Sequence, residues 1–408
     1  MTSEAITAFV WIWLPDAVAP VVCGRLDADR SPITFTYGQR YLERADAVPI
    51  FEPELPLRTG TQTAASGTRL PLCIDDAMPD SWGRKLIHHH LGEPTSEFSE
   101  LTYLLASASN HVGALDFQPS ATTYVARSAE PPSLDDLAEA AEAIDTGAPI
   151  DERLAAALMH GTSIGGARPK APLSDGDRQL IAKFTTSTDA FPWVQAEYVA
   201  MDLARRAGLD VAPVEFTRAC GRAALLVERF DRAPGGRRHR VVSALTVLGY
   251  NTFPDGRYAT YGAIAHAIRN HFVHPDATLH ELFARISFNI LCGNTDDHGR
   301  NHAALVRADG LALTSAYDIS PQPRSGNTAL QALAFTDDID NRDARLALLV
   351  AAADVYHLTE DEAGDVIAHQ VHVIRSDWDE VCDAAELTGP QRDALMGRQF
   401  LNEHAFEQ

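Results

Sequence analysis

Between residues 161 and 320 the chain changes its hydrophobic period in one order, and few folds accept that order. It begins with a glycine-rich turn, "GTSIGGARPKAPL" at 161–173. "RQLIAKF" at 178–184 then alternates, with Leu180, Ala182 and Phe184 to one side and Ile181 and Lys183 to the other, the period of a strand. "WVQAEYVAMDLARRAGL" at 193–209 follows with a helical period that puts Trp193, Glu197, Ala200 and Ala204 on one face. "RAALLVERFDR" at 222–232 reads as a second buried strand running into a link. Further on, "LHELFARISFNILCGN" at 279–294 carries the stripe Leu282, Phe283, Ile286 and Ile290. "HAALVRADGLALTSAYDIS" at 302–320 reads as a β-hairpin with an Asp-Gly turn.

Between that stripe and the hairpin lies "CGNTDDHGRNH" (292–302). Asp296 and Asn301 are five residues apart, and Asp318 ends the hairpin. Phosphoryl transfer of the protein-kinase type needs a loop aspartate near the attacking hydroxyl. It also needs an asparagine five residues on that holds magnesium, and a second aspartate after a hairpin. A carboxylate and an amide oxygen suit Mg²⁺, a hard ion. The upstream pieces fit the same scheme: Lys183 can neutralise nucleotide phosphates, and Glu197 can pair with Lys183. The turn 161–167, with Gly165 and Gly166, can offer backbone N–H groups to phosphate. Asp297 competes with Asp296 but is only four residues from Asn301, and His298 is expected to orient the loop by hydrogen bonding. A metal-dependent hydrolase built on Asp296, Asp297, His298 and His302 is the rival chemistry; it leaves Lys183 and Glu197 without a task. No Walker loop, H-E-x-x-H, G-x-S-x-G or spaced G-x-G-x-x-G occurs.

Composition narrows the rest. At 408 residues the chain exceeds what one core fills, so at least two domains or lobes are expected. A net charge of −22 repels phosphate backbones, so direct nucleic-acid binding is not expected, while a basic partner can dock. Five scattered cysteines without C-x-x-C spacing speak against disulfides or structural zinc and fit a cytoplasmic protein. "AITAFVWIWL" at 5–14 is too short to span a bilayer and reads as a buried strand, so no membrane association is expected. "VVCGRL" and "ITFTY" read as strands, and "DSWGRKLIHHHLG" (80–92) as a helix ending at Gly92. Its three consecutive histidines point in different directions and predict no metal site. Residues 126–152, with a Pro-Pro break and an acidic helix capped by Ser133, read as a connector.

"SIGGARPKAPL", "LIAKF", "QAEYVAMDLARRAGL", "LLVERFDR", "GNTDDHGRN" and "SAYDIS" together resemble the HipA family of bacterial serine/threonine kinases, toxins of HipBA-type toxin–antitoxin systems. "ITFTYGQRYL" followed by "DDAMPDSWGRKLI" resembles that family's N-terminal subdomain. The resemblance implies an α+β, bilobal protein-kinase-like fold. A small β-rich N-terminal subdomain would span 1–125, a connector 126–152, a kinase N-lobe-like part with the glycine-rich loop 153–235, and a mostly helical C-terminal lobe with the catalytic loop 236–408. It implies ATP and Mg²⁺ as cofactors, Asp296 as catalytic base, Asn301 and Asp318 as Mg²⁺ ligands, and Lys183 on the ATP phosphates. Glu228 and Phe230 would supply hinge backbone contacts to adenine, and Ser163 would be autophosphorylated as an off switch. Implied partners are a HipB-like DNA-binding antitoxin and a protein substrate, with aminoacyl-tRNA synthetases as the family's associated targets. The alternative is a catalytically silent HipA-like module, a co-repressor docking on a basic DNA-binding antitoxin. Departures from the family pattern are Arg168-Pro169 in place of Gln-Glu and Arg300 in place of Lys; a Gln-Glu-Asp run is also missing from "RHRVVSALTVLGY" after the hinge.

Overall fold

The computed structural model describes residues 6–29, 31–64, 67–92, 97–127, 133–151, 154–155, 168–251 and 255–407. The chain divides into two compact units, one of residues 1–188 with 218–242 and one of residues 189–217 with 243–408.

Among the described residues the first unit holds a short two-stranded sheet, Arg232–Ala233 with Arg237–Arg238, and two larger ones. In one, β1 (Thr7–Ile12), β2 (Val21–Asp27), β3 (Thr34–Tyr37), β4 (Thr61–Thr63) and β5 (Leu115–Gln118) lie in the order β4-β3-β2-β1-β5. The apolar run expected as a strand is β1, and Ala8, Val10 and Ile12 are fully buried. Gly24 on β2 lies so close to β3 that a Cβ would come within 2.5 Å of the Phe35 ring and the Thr36 carbonyl. A side chain there would separate the strands.

In the other sheet, β6 (Lys170–Asp175), β7 (Arg178–Phe184) and β9 (Arg222–Glu228) pair side by side, with Lys170 opposite Lys183 and Leu180 opposite Glu228. β8 (Val214–Ala219) brings the chain back into this unit. The alternation of β7 appears as read: Leu180, Ala182 and Phe184 are buried, and Ile181 and Lys183 are half-buried. Those three residues pack with Trp82 and Leu86 of helix Ser81–Leu91 and with Leu137, Ala140, Ala141 and Ile144 of helix Leu134–Thr146. The latter helix, from the segment expected as a connector, is N-capped by Ser133, whose Oγ accepts the Asp136 N–H at 3.1 Å.

One buried carboxylate fastens the link after β9 to the loop before β5. Asp231, 3% exposed, accepts hydrogen bonds from Arg229 (Nε 2.9 Å, Nη2 2.7 Å), Arg232 (Nη1 2.7 Å) and the Gly113 N–H (2.7 Å). The two guanidiniums continue to Asn110 and His111, at 2.7 Å for Arg229 Nη1 to Asn110 Oδ1 and 2.6 Å for Arg232 Nη2 to the His111 carbonyl. Burial alone would raise the Asp231 pKa; the charges of Arg229 and Arg232, with hydrogen bonds from Arg229 and Gly113, hold it well below the usual carboxylate range.

The second unit is mostly helical. Helices Trp193–Arg206, Tyr261–His271, Pro275–Cys292 and Glu360–Ala384 are its longest among the described residues, with the hairpin Ala303–Arg307 and Gly310–Leu313 inserted. Glu360–Ala384 starts with a capping box between Thr359 and Glu362. It is tied to Trp193–Arg206 by Arg206, which reaches Asp377 at 3.1 Å and Glu380 at 2.8 Å. Among the described residues no helix is long and apolar enough to cross a membrane.

Replacing Asp231 with Ala leaves two buried guanidiniums without their counter-charge, a loss of about 3–5 kcal/mol. We expect a lowered denaturant midpoint by tryptophan fluorescence. The stabilisation belongs to the ionised carboxylate, whose folded pKa is depressed. The wild-type advantage therefore persists down to about pH 4 and shrinks as pH falls further.

Candidate active site

The loop that carries the sequence motif is set by the helix before it. Leu282, Phe283, Ile286 and Ile290 of helix Pro275–Cys292 are fully buried, which fixes where the helix ends. It ends at Gly293, in the left-handed region with φ 72°. A Cβ on Gly293 would also lie 2.8 Å from the Gln399 carbonyl oxygen, so both backbone angle and space demand glycine.

Beyond Gly293 exposure alternates: Asp296 is exposed, Asp297 buried, His298 exposed and Gly299 buried. Asn301 is buried, and its Nδ2 donates to the backbone carbonyl of Asp296 at 3.4 Å. Buried Asn294 donates from Nδ2 to Asn289 Oδ1 at 3.0 Å and to the Asp318 carbonyl at 3.4 Å. Tyr317 Oη donates to the Arg300 carbonyl at 2.6 Å. These contacts bring Asp296, Asn301 and Asp318 to one place. Asp318 is half-buried and has φ 59°, a left-handed conformation uncommon for a residue with a Cβ.

The two adjacent aspartates have opposite environments. Partial burial raises the Asp296 pKa, the nearby negative charges of Asp318 and Asp297 raise it further, and His298 opposes them. Asp297, 3% exposed, accepts three hydrogen bonds on Oδ2 alone: from Tyr261 Oη at 2.5 Å, Asn289 Nδ2 at 2.8 Å and His302 Nε2 at 2.9 Å. Burial would raise its pKa, but His302, Tyr261 and the charge of His298 bring it below the ordinary value. Buried and with Oδ2 committed to three donors, Asp297 is not presented to solvent as Asp296 is.

The histidine that bonds within the loop is His302, whereas His298 was expected to take that part. His298 is exposed and makes no side-chain hydrogen bond among the described residues, because the backbone alternation turns it outward. Nor do His, Cys, Asp and Glu converge anywhere, among the described residues, in a group of three that could hold a metal ion, as the hydrolase reading needs. A hard cation held by one carboxylate, one amide oxygen and phosphate oxygens has a different donor set. The residues fit that set. Asp318 is close enough for its charge to raise the Asp296 pKa, and Asn301, donating through Nδ2, keeps its amide oxygen as an acceptor.

In the second unit Glu197 is buried on helix Trp193–Arg206. In the first unit, Lys183 lies half-buried on the face of β7 opposite the core. Glu228 ends β9; its side chain accepts from Arg178 Nε at 3.2 Å, and the next N–H, of Arg229, donates to the Gln179 carbonyl at 2.9 Å. Phe230 follows, half-buried. Ser163, Gly165 and Gly166 lie outside the described residues.

Sequence reasoning missed Lys170. It is 2% exposed, faces Lys183 across the β6–β7 ladder, and places Nζ 3.5 Å from Asp80 Oδ2. Asp80 also caps helix Ser81–Leu91 through Oδ1, and Trp82 Nε1 donates to the Lys170 carbonyl at 3.1 Å. The available signal was the lysine's place, opposite Lys183 once β6 and β7 are paired. Tyr261, Asn289 and the inward role of His302 were missed as well.

The family model for the HipA-like C-terminal domain matches residues 162–378, and the model for the HipA N-terminal domain matches 13–118. The chain belongs to the HipA family. It is 32% identical over 182 residues to a putative kinase, Y4mE, of Sinorhizobium fredii, and 28% identical over 187 residues to the serine/threonine-protein kinase toxin HipA of Shewanella oneidensis. Each match covers 38% of this chain, and the chain spans about two fifths of those curated relatives, 41% and 42% of their lengths. In fold it is similar to a chain in the solved Shewanella oneidensis complex of HipA, HipB and operator DNA. That likeness has a TM-score of 0.70 and 20% identity, and covers 97% of this chain and 99% of the other. The α+β, kinase-like architecture of a HipA protein is therefore the fold of this chain.

In this HipA-family loop Gly293 is the stop that aims Asp296. Gly293→Ala forces a left-handed alanine, a cost of about 1–2 kcal/mol before any steric overlap. We expect a lowered thermal midpoint for Gly293→Ala. Gly389→Ala, where nothing lies within 4 Å of the added Cβ, stays near wild type in the same melt.

Proposed function

We propose that this HipA-family chain is an ATP- and Mg²⁺-dependent protein serine/threonine kinase. The observation that carries the reading is geometric: Asp296 faces outward from the loop, and buried Asn301, five residues on, is bonded to its backbone. The names of the two curated relatives, both kinases, support it. Asp296 accepts the proton of the attacking hydroxyl. Asn301 and Asp318 would hold Mg²⁺, which would supply charge neutralisation for the ATP phosphates. Lys183 takes phosphate charge, Glu197 orients it, Gly165 and Gly166 offer backbone N–H groups, and Glu228 and Phe230 present backbone to adenine.

On this reading Ser163 takes a phosphate as an off switch, because roughly two negative charges beside the nucleotide phosphates repel them. The chain acts as a toxin in the cytoplasm. Its partners are a HipB-like DNA-binding antitoxin, in keeping with the HipB of the Shewanella oneidensis complex, and a substrate protein.

Mass spectrometry of dephosphorylated protein incubated with Mg²⁺ and ATP tests this. We expect one added phosphate, on Ser163, and none when EDTA removes the metal. Asp296→Ala slows the transfer by about 10²–10⁴-fold, and Asp318→Ala abolishes it. A fully active Asp318→Ala protein sinks the mechanism. No transfer by wild-type protein that still binds ATP moves the assignment to a silent module that docks on the antitoxin.

A further inference from the structure

Three elements of the second unit converge on one oxygen of Asp297. Tyr261 comes from the first turn of helix Tyr261–His271, Asn289 from the last turn of helix Pro275–Cys292, and His302 from the entry to the hairpin. A carboxylate only accepts, so His302 donates to Asp297 through Nε2. Nδ1 has no hydrogen-bond partner among the described residues, and the ring borders a small pocket lined by Val247, Leu248, Ile264, Phe272 and Leu313. The Tyr261 ring stands edge-on to it, with centroids 5.7 Å apart at 88°. His302 is thus held in one orientation by packing and by one strong acceptor.

The place of this pair in the chain gives it a role. Asp297 directly follows Asp296, and His302 directly follows Asn301. The Asp297–His302 bond closes the loop across its two ends, and the two loop residues assigned to chemistry, Asp296 and Asn301, each adjoin one member of the bond. Resting on the kinase reading above, we propose that Asp297 and His302 are positioning residues, a buried clamp that fixes the distance between the catalytic base and the metal-binding amide. Neither touches substrate. Tyr261 and Asn289 anchor the clamp to the two helices.

Displacement of a reacting group by about 1 Å costs on the order of 10²-fold in rate. We therefore expect Asp297→Ala and His302→Ala to lower kcat for phosphoryl transfer about 10²-fold with KM for ATP nearly unchanged. His302→Gln regains most of the rate, because a glutamine amide can donate to Asp297 as the ring Nε2 does. Tyr261→Phe, which removes one of three donors, falls between the two and covers the case in which an alanine variant fails to fold. Hydrogen–deuterium exchange is read on the same proteins. Faster exchange confined to residues 294–302 in the alanine variants, absent in His302→Gln, supports the clamp. Wild-type kcat in both alanine variants overturns it; so does faster exchange spread over the whole unit with no rescue by glutamine, which marks a merely structural contact. If wild-type protein transfers no phosphate, the kinase reading fails, and exchange decides the clamp alone. A local change keeps it as the loop's restraint, and no change removes it.

Discussion

A carboxylate taken out of water must be surrounded by donors or it costs several kcal/mol, and this demand at Asp297 shapes the functional loop. Once Asp297 is drawn inward to Tyr261, Asn289 and His302, the local alternation turns Asp296 and His298 outward. Two adjacent aspartates of identical chemistry thus receive opposite conditions. Asp297 keeps its charge because its partners stabilise it; Asp296 holds its proton more tightly because burial and neighbouring carboxylates disfavour its charge. Environment, not residue type, separates the anchor from the candidate base.

The same physics organises the first unit. In "VERFDR" the side chains of Arg229, Asp231 and Arg232 are buried with one another and with the loop at residues 110–113. Asp231 receives charge-assisted bonds from two guanidiniums and one from a backbone N–H, so its lone pairs are well used. Arg229, Asp231 and Arg232 join the link after β9 to the loop before β5, inside one unit, through their side chains.

How much of this was legible follows from the range of each cause. The alternation of β7, the stripe of Leu282, Phe283, Ile286 and Ile290, the Ser133 cap and the stop at Gly92 all appear as read, because each depends on residues within one or two turns. The partners of Asp297 come from 36, 8 and 5 residues away, and no local period encodes such a meeting. His298 and His302 are equal candidates in the sequence; only backbone direction separates them. Lys170 was passed over because lysine is ordinarily exposed, and the exception depends on Asp80, 90 residues earlier in the chain. The fold was legible through repeated local patterns, whereas the site rests on a few long-range bonds.

Electrostatics also gives a reason for asparagine at position 301 under the kinase reading. Asp296 already feels the negative charges of Asp318 and Asp297, in a chain of net charge −22. A carboxylate at 301 would give a cation a stronger ligand, but it would add a third negative charge next to the base and raise its pKa again. An amide oxygen coordinates without charge, and the amide's N–H₂ is free to donate to the Asp296 carbonyl, which a carboxylate cannot do. Asparagine at 301 thus meets two requirements that aspartate, its isostere, would set against each other.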